Sequence, residues 1–145
     1  MGYGLDEAKK LSDATTLLQK VGDNMTQESS SEGLISVLKG FQKDADEAES
    51  IVDKVNQVAN TQPIDTSGLF EGLSRSASSM DAANNSLEQT IALITAANSV
   101  VQDPASIGTA FKTISMRIRG ATTEMEEAGL DTDGMAESTA KLRKQ

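Results

Sequence analysis

The spacing of the apolar residues constrains this chain more than any other feature. They recur three or four residues apart in short runs, as in Leu34, Val37, Leu38 and Phe41, and no run alternates strictly between apolar and polar residues. The other predicted stripes are Ala8, Leu11, Ala14 or Thr15, and Leu18; Ala48, Ile51, Val52, Val55, Val58 and Ala59; Leu69, Phe70, Leu73, Ala77 and Met80; a wide face of Leu87, Ile91, Ile94 and Val101 with Leu93, Ala97 and Val100 beside them; and Ile107, Phe111, Ile114 and Ile118. This spacing places the apolar side chains on one side of an α-helix. A short helix can hide that side only against another helix. We therefore predict an all-α fold of about six to seven short amphipathic helices packed as helical hairpins.

Capping residues and helix breakers predict where these helices begin and end. The first helix should cover Asp6 to Lys20 and stop at Gly22, since glycine favours helix ends. The helix that follows Asp44 should end near Asn60. Serine, threonine, asparagine and aspartate cap the first turn, especially with glutamate three residues later. Such starts are predicted at Ser29 with Glu32, Asp44 with Glu47, Thr66 or Ser67, Asn85 with Glu88, and Asp103 followed by Pro104.

The last part of the chain carries two further predictions. The helix that begins after Asp103 should stop at Gly120 or run on through Met125 to Gly129. A short final helix is predicted from Gly134 to Arg143, because the cations near its C-terminal end interact favourably with the negative end of the helix dipole. These helices together should form a single helical domain over residues 1–145.

An internal similarity links two of the predicted helices. The run SEGLISVL from Ser31 to Leu38 aligns with TSGLFEGL from Thr66 to Leu73, at an offset of 35 residues. Gly33 then matches Gly68, and Leu34 matches Leu69. Two tandem repeats of a helix pair are the simplest account of this pattern.

The composition argues against catalysis and against several classes of ligand. The chain has no cysteine and no histidine, which removes thiol nucleophiles, the commonest metal ligand and the usual general base at neutral pH. Its net charge of −9 disfavours contact with nucleic acid or an anionic membrane. We therefore predict a protein that is not an enzyme and has no cofactor, no metal site, no specific nucleic-acid partner and no membrane contact.

Two acidic clusters are better explained by local structure than by chemistry. The Asp131-Thr132-Asp133-Gly134 stretch begins like a calcium loop, but Met135 and Leu142 stand where such a loop needs oxygen ligands. We interpret it as a turn. The run from Asp44 to Glu49 lacks the apolar pocket that would raise the pKa of a carboxyl group for acid catalysis. It suits the positive end of a helix dipole instead.

Two smaller features point to helix packing. Gly68 and Gly72 form a GxxxG pattern, which in a water-soluble helix indicates close approach to another helix. Asn98 is a polar residue near the middle of an apolar helix face, and we expect its amide to be buried and bonded to neighbouring backbone groups.

Lys112, Arg117 and Arg119 are the densest group of cations before the C-terminus. Lys112 and Arg119 share one side of the helix, whereas Arg117 projects nearer the edge of the apolar stripe. We favour a solvated helix face balanced by Glu124, Glu126 and Glu127. The alternative is that the three cations are contacts to a partner.

Two passages carry a resemblance to a known family. AANSVVQDP, and KTISMRIRG followed by an acidic E-x-E-E-A-G-x-D-T-x-G-M pattern, resemble a passage of the tail tape-measure proteins of bacteriophages and prophages. The upstream stretch VGDNMTQESSSEGLISVLKGFQKDADEAESIVDKVNQVAN is similar to what precedes that passage in the family. Gln62 to Asp65 departs from the family's usual linker, which affects only the expected geometry of that turn.

The resemblance implies a structural role without catalysis. Family members are long proteins that lie in the lumen of the tail tube and set its length, so the chain would be an excised segment of such a protein. It would be made in the host cytoplasm, and its partners would be other tape-measure copies, tail-tube subunits and tail assembly proteins. The alternative is a stand-alone helical-repeat module that binds a peptide or helix in a groove between its hairpins. An exposed, contiguous apolar groove would favour that alternative.

Overall fold

A computed structural model describes residues 4–128, which are helical throughout apart from the turns between helices. No strand occurs in this range, so the prediction of an all-α fold is confirmed. Six α-helices and one 3-10 turn, Ala45–Glu47, are present in it. The α-helices are α1 Leu5–Val21, α2 Gln27–Gly40, α3 Ala48–Ala59, α4 Thr66–Ala82, α5 Leu87–Val101 and α6 Pro104–Glu127.

The helices form three consecutive antiparallel pairs, α1–α2, α3–α4 and α5–α6, arranged in two rows. The even-numbered helices make one row, in which α4 contacts both α2 and α6. The odd-numbered helices make the other, in which α1 contacts α3, and Lys54 of α3 forms an ion pair with Glu88 of α5. The buried apolar residues of all six helices form one core, and the most extensive helix contacts are those of α4 with α6 and with α2, within one row.

Large aliphatic residues and two phenylalanines fill this core. Phe70, Leu34, Leu38, Leu73 and Ile94 are each no more than 1% exposed. The predicted stripe of α2 and those of α3 and α4 are buried as expected, although Val58 and Ala59 at the end of α3 are only half-buried. Ala8, predicted to lie on the buried side of α1, is exposed. It lies about one helical turn before Leu11, the first buried residue of α1.

Three predicted helix starts are wrong by one to three residues. The N-cap of α2 is Thr26, with Ser29 as its partner in the capping box, instead of Ser29 with Glu32. Asp65 caps α4 ahead of Thr66 and Ser67, and Ser86 with Gln89 caps α5 in place of Asn85 with Glu88. Runs of adjacent polar residues offer several capping registers, and the packing of the helix decides which one is used.

Two other starts and two stops are as predicted. Asp44 and Glu47 form a capping box, and the Asp103 carboxylate accepts a hydrogen bond from the backbone N–H of Ser106 at 3.0 Å, with Pro104 as the first residue of α6. The Ser106 hydroxyl also donates a hydrogen bond to this carboxylate. This bond, and after it the bond from the backbone N–H, lowers the pKa of Asp103. Helix α1 ends at Gly22, and α3 ends at Asn60.

Of the two predicted ends of α6, the structure supports the second, because the helix runs on past Gly120 and through Met125. It continues to Glu127, because a single glycine costs only about 1 kcal/mol in a helix and the flanking residues favour helix. The predicted helix from Gly134 to Arg143 and the turn at Asp131 lie outside the described residues.

The N-caps of the even-numbered helices reveal the repeat. Thr26, Asp65 and Asp103 are 39 and 38 residues apart, so the described residues hold three helix pairs where two repeats were predicted. In this register Gly33 corresponds to Gly72. The 35-residue offset was therefore wrong by four residues, which is about one helical turn and so preserves the apolar spacing.

The N-cap of α4 provides a test of whether capping side chains stabilise the helix starts. The Asp65 carboxylate accepts hydrogen bonds from the Gly68 N–H at 2.6 Å and the Ser67 hydroxyl at 3.1 Å. We expect Asp65→Ala to lower the free energy of unfolding by about 1 kcal/mol, or roughly 3–5 °C in Tm, measured by thermal circular dichroism. Asp65→Asn keeps an acceptor and should stay within a few tenths of a kcal/mol. Equal losses in both variants would contradict a capping role.

Candidate interaction surface at the open end of the helix stack

Exposed large apolar residues are concentrated on the last helix pair. Of the seven in the described residues, only Leu5 lies elsewhere. Leu93, Val100 and Val101 lie on α5, and Ile114, Met116 and Ile118 lie on α6. The wide apolar face predicted for α5 is thus covered on only one side, and the predicted α6 stripe is buried only at Ile107 and half-buried at Phe111.

Counting from the N-caps shows what is unusual about α6. The residue eleven positions after the cap is Val37 in α2 and Ser76 in α4, each 0% exposed, but it is Ile114 in α6, 51% exposed. Fifteen positions after the cap, Phe41 and Met80 are buried, whereas Ile118 is 47% exposed. In α2 and α4 the next even-numbered helix packs on this side, with Gly40 close to Ala77 and Met80 close to Ser115. We call Ala110, Ile114, Arg117 and Ile118 the open face of α6.

The even-numbered helices meet in one register at both described junctions. Gly33 is seven residues after the cap of α2, and Phe70 is five residues after the cap of α4. A Cβ atom added to Gly33 would lie 4.0 Å from the ring of Phe70. Gly72 and Gly108 occupy the same two positions in the next junction, where their backbones touch. Both glycines of the predicted GxxxG pattern pack here, with Gly68 against Pro104 and Gly72 against Gly108, which confirms the prediction of close helix approach.

The three candidate cations lie on α6 and are all exposed. Arg117 belongs to the open face. Lys112 and Arg119 are two turns apart and share the other side of the helix. In the α2–α4 junction, the Gln42 amide donates a hydrogen bond of 2.7 Å to the Asp81 carboxylate. Among residues 4–128, no described carboxylate forms an ion pair with any of the three.

A second surface feature is a groove between α3 and α5, with a volume of about 600 Å³. Val58, Ile91 and Ala92 contribute apolar lining. The Lys54 ammonium and the Glu88 carboxylate, 2.6 Å apart, flank it, and this contact lowers the pKa of Glu88. The sequence did not single out this groove, since it forms between helices far apart in the chain.

The acidic run at the start of α3 is committed to local contacts. Lys43 donates to the Glu47 carboxylate at 2.9 Å, and Asp46 pairs with Lys10 of α1 at 2.6 Å. The hydrogen bond from Lys43 holds the pKa of Glu47 below its usual value, whereas a general acid needs a raised pKa. Within residues 4–128 no group of three or more acidic side chains is arranged to hold a metal ion.

Asn98 has the structural role that the sequence predicted. It is 5% exposed, and its side-chain amide donates a hydrogen bond of 3.0 Å to the Pro63 carbonyl in the turn between α3 and α4. This bond fixes α5 against the preceding pair. It leaves Asn98 without a role in the open face or in the groove.

Comparison with known families decides the class of protein. The model of one family, described as phage-related minor tail protein, matches residues 1–145. The chain belongs to this family. Membership places the tail protein in the phage virion and gives it a structural part in the tail, among the proteins of tail assembly. No curated protein and no solved structure gave a significant match. None of the helices in residues 4–128 combines the length and the hydrophobicity that crossing a bilayer requires.

Proposed function

We propose that this chain is a segment of a tape-measure protein and contributes to the length of the phage tail. The observation that carries the proposal is the family match over the whole chain. The resemblance of the AANSVVQDP and KTISMRIRG passages to tape-measure proteins supports the finer assignment. The segment would lie in the tail lumen, act without catalysis, and contact tail-tube subunits and other tape-measure copies.

The fold raises a question about how such a segment would measure length. A continuous helix spans about 1.5 Å per residue, so 145 residues as one rod would reach about 220 Å. Packed helices lie roughly 8–10 Å apart. Three stacked pairs therefore extend only about 30 Å along the stack. The two forms of the segment differ about sevenfold in the length they would contribute.

In-frame deletion of the segment from its phage tests both the proposal and the form. We expect tails shorter by about 30 Å if the segment stays stacked, and shorter by about 220 Å if it opens into a rod inside the tube. Electron microscopy of purified tails measures the difference. An in-frame duplication is the matched control and should lengthen tails by the same amount.

Tails of unchanged length in both variants would overturn the length-setting proposal. That result would favour the second candidate function, a helical-repeat module that binds another protein. The apolar groove between α3 and α5 is the specific observation that supports this alternative. Such a module could act in the tail without setting its length.

A further inference from the structure

We propose that the open face of α6 is the docking site for a fourth helix pair of the same repeat, contributed by the longer tail protein to which we propose the segment belongs. This inference rests on that part of the proposed function. The partner is an antiparallel helical hairpin whose second helix lies against α6 as α6 lies against α4. Three independent features of the described junctions support it.

The first feature is the shape of the open face. Seven residues after the cap, α2 has Gly33, α4 has Gly72 and α6 has Ala110. A small residue at this position lets the next helix approach closely, as the contact of Gly72 with Gly108 shows. Ala110 is exposed, so α6 presents an unfilled small position. Together with Arg75 of α4 and Ile114, it lines a surface concavity of about 650 Å³.

The second feature is the pattern of exposed apolar residues along α6. Met116, thirteen residues after its cap, is 53% exposed, but its counterparts Lys39 and Ser78 are exposed too. The residue at this position is therefore exposed in all three helix pairs. Ile114 has buried counterparts in both α2 and α4. The residue that departs from the repeat is therefore one that a further helix would cover.

The third feature is the direction of the side-chain hydrogen bonds from nitrogen to oxygen between pairs. Two other polar contacts, from the Asn98 amide to the Pro63 carbonyl and from the Ser115 hydroxyl to the Met80 sulfur, are donated by the later pair. In residues 4–128, the four hydrogen bonds from a side-chain nitrogen to a side-chain oxygen that join one pair to the next all have their donor in the earlier pair. They are Lys10 to Asp46, Gln42 to Asp81, Lys54 to Glu88, and Arg75 to Thr109.

Arg117 continues that direction, since it offers donors on the open face. The partner hairpin should accordingly carry a carboxylate within reach of Arg117, as α4 carries Asp81 on the side that faces the preceding helix. A second copy of the chain docked through the same face does not meet this requirement. An antiparallel pairing centred on the open face would bring the cations of the two α6 helices together, which is unfavourable.

The hairpin of residues 43–84 from the chain itself is a suitable probe. Its α4 carries Phe70, Ala77 and Asp81 at the positions that face the preceding helix. In a tandem protein, these residues would follow Gln145 through a flexible Gly-Ser linker, which keeps the probe at a high effective concentration. Because the natural chain has no cysteine, Ile114→Cys introduces a single reporter thiol.

We expect the thiol at position 114 to react at least tenfold more slowly with a thiol reagent in the tandem protein than in the 145-residue chain. Met116→Cys is the matched control, and its rate should be the same in both proteins. Arg117→Glu in the tandem protein should restore much of the reactivity at position 114, because it places a carboxylate on the open face near Asp81 of the probe. Circular dichroism of the single-cysteine chains checks that each retains its helix content.

Equal rates at position 114 in the two proteins would overturn the proposal. Protection at position 114 that appears in the 145-residue chain alone and grows with protein concentration would also overturn it, because the occupant would then be a second copy. These measurements use purified protein. A failure to dock is thus separate from a failure of the tail-length experiment, which is made on the phage.

Discussion

Replacing Gly108 by alanine should destabilise the protein, whereas the same replacement at Gly120, in the same helix, should stabilise it. A Cβ on Gly108 would lie 2.4 Å from the Gly72 carbonyl oxygen and 2.8 Å from the Gly72 Cα, and both residues are buried. These are backbone atoms, so α4 and α6 must move apart to make room. A Cβ on Gly120 meets nothing within 4 Å.

The expected sizes follow from two opposing terms. Overpacking a close helix contact costs up to about 3 kcal/mol, and the better helix propensity of alanine returns about 1 kcal/mol. The free energy of unfolding should therefore fall by about 2 kcal/mol in Gly108→Ala and rise by roughly 0.5–1 kcal/mol in Gly120→Ala. Urea denaturation of both variants measures the difference. A stabilised Gly108→Ala protein would show that α4 and α6 do not pack through this contact.

Truncating Phe70 to alanine should have the largest effect of any single substitution considered. Phe70 is 1% exposed on α4, the helix that contacts both neighbours in its row. Removing a buried phenylalanine side chain costs about 3–5 kcal/mol, because the surrounding helices close the cavity only in part. That is a large share of the total stability of a domain of this size, which is about 5–15 kcal/mol.

The matched control is Phe111→Ala in α6. Phe111 is only half-buried, and no described helix lies beyond α6 in its row. We expect a loss about half that of Phe70→Ala, measured by the same denaturation. Equal losses at the two positions would indicate that α6 is covered in the isolated chain, which would also count against an open face.

The sequence predicted the class of fold because the apolar spacing in this chain is strong. It predicted Leu34, Leu38, Ile51 and Phe70 as buried, and they are. It misplaced helix starts at Ser29 and Asn85, because Thr26 and Ser86 are equally good capping residues and only the packed helix selects between them. It also misread the repeat by one turn, since a helix shifted by four residues shows nearly the same apolar face.

The site was less accessible to sequence reasoning. Lys112, Arg117 and Arg119 were identified by their density, and helical spacing placed Arg117 nearer the apolar stripe than the other two, but it could not show that part of this stripe is open. Ile114 and Ile118 looked like core residues, because spacing shows that a helix has an apolar face and does not show whether another helix covers it. The N-caps of α2, α4 and α6 carried the missing information. Aligned at those caps, the exposed isoleucines become evident.

The shared register of the junctions also bears on how such a protein could change in evolution. The second helix pair contacts the third through the same positions by which the first pair contacts the second. Gain or loss of whole units of 38 or 39 residues would therefore leave the remaining contacts intact, whereas an insertion or deletion within a helix would shift its register against its neighbours. Descendants should accordingly differ in size by discrete increments. If the protein sets the length of a tail, tails of related phages should differ in discrete increments as well.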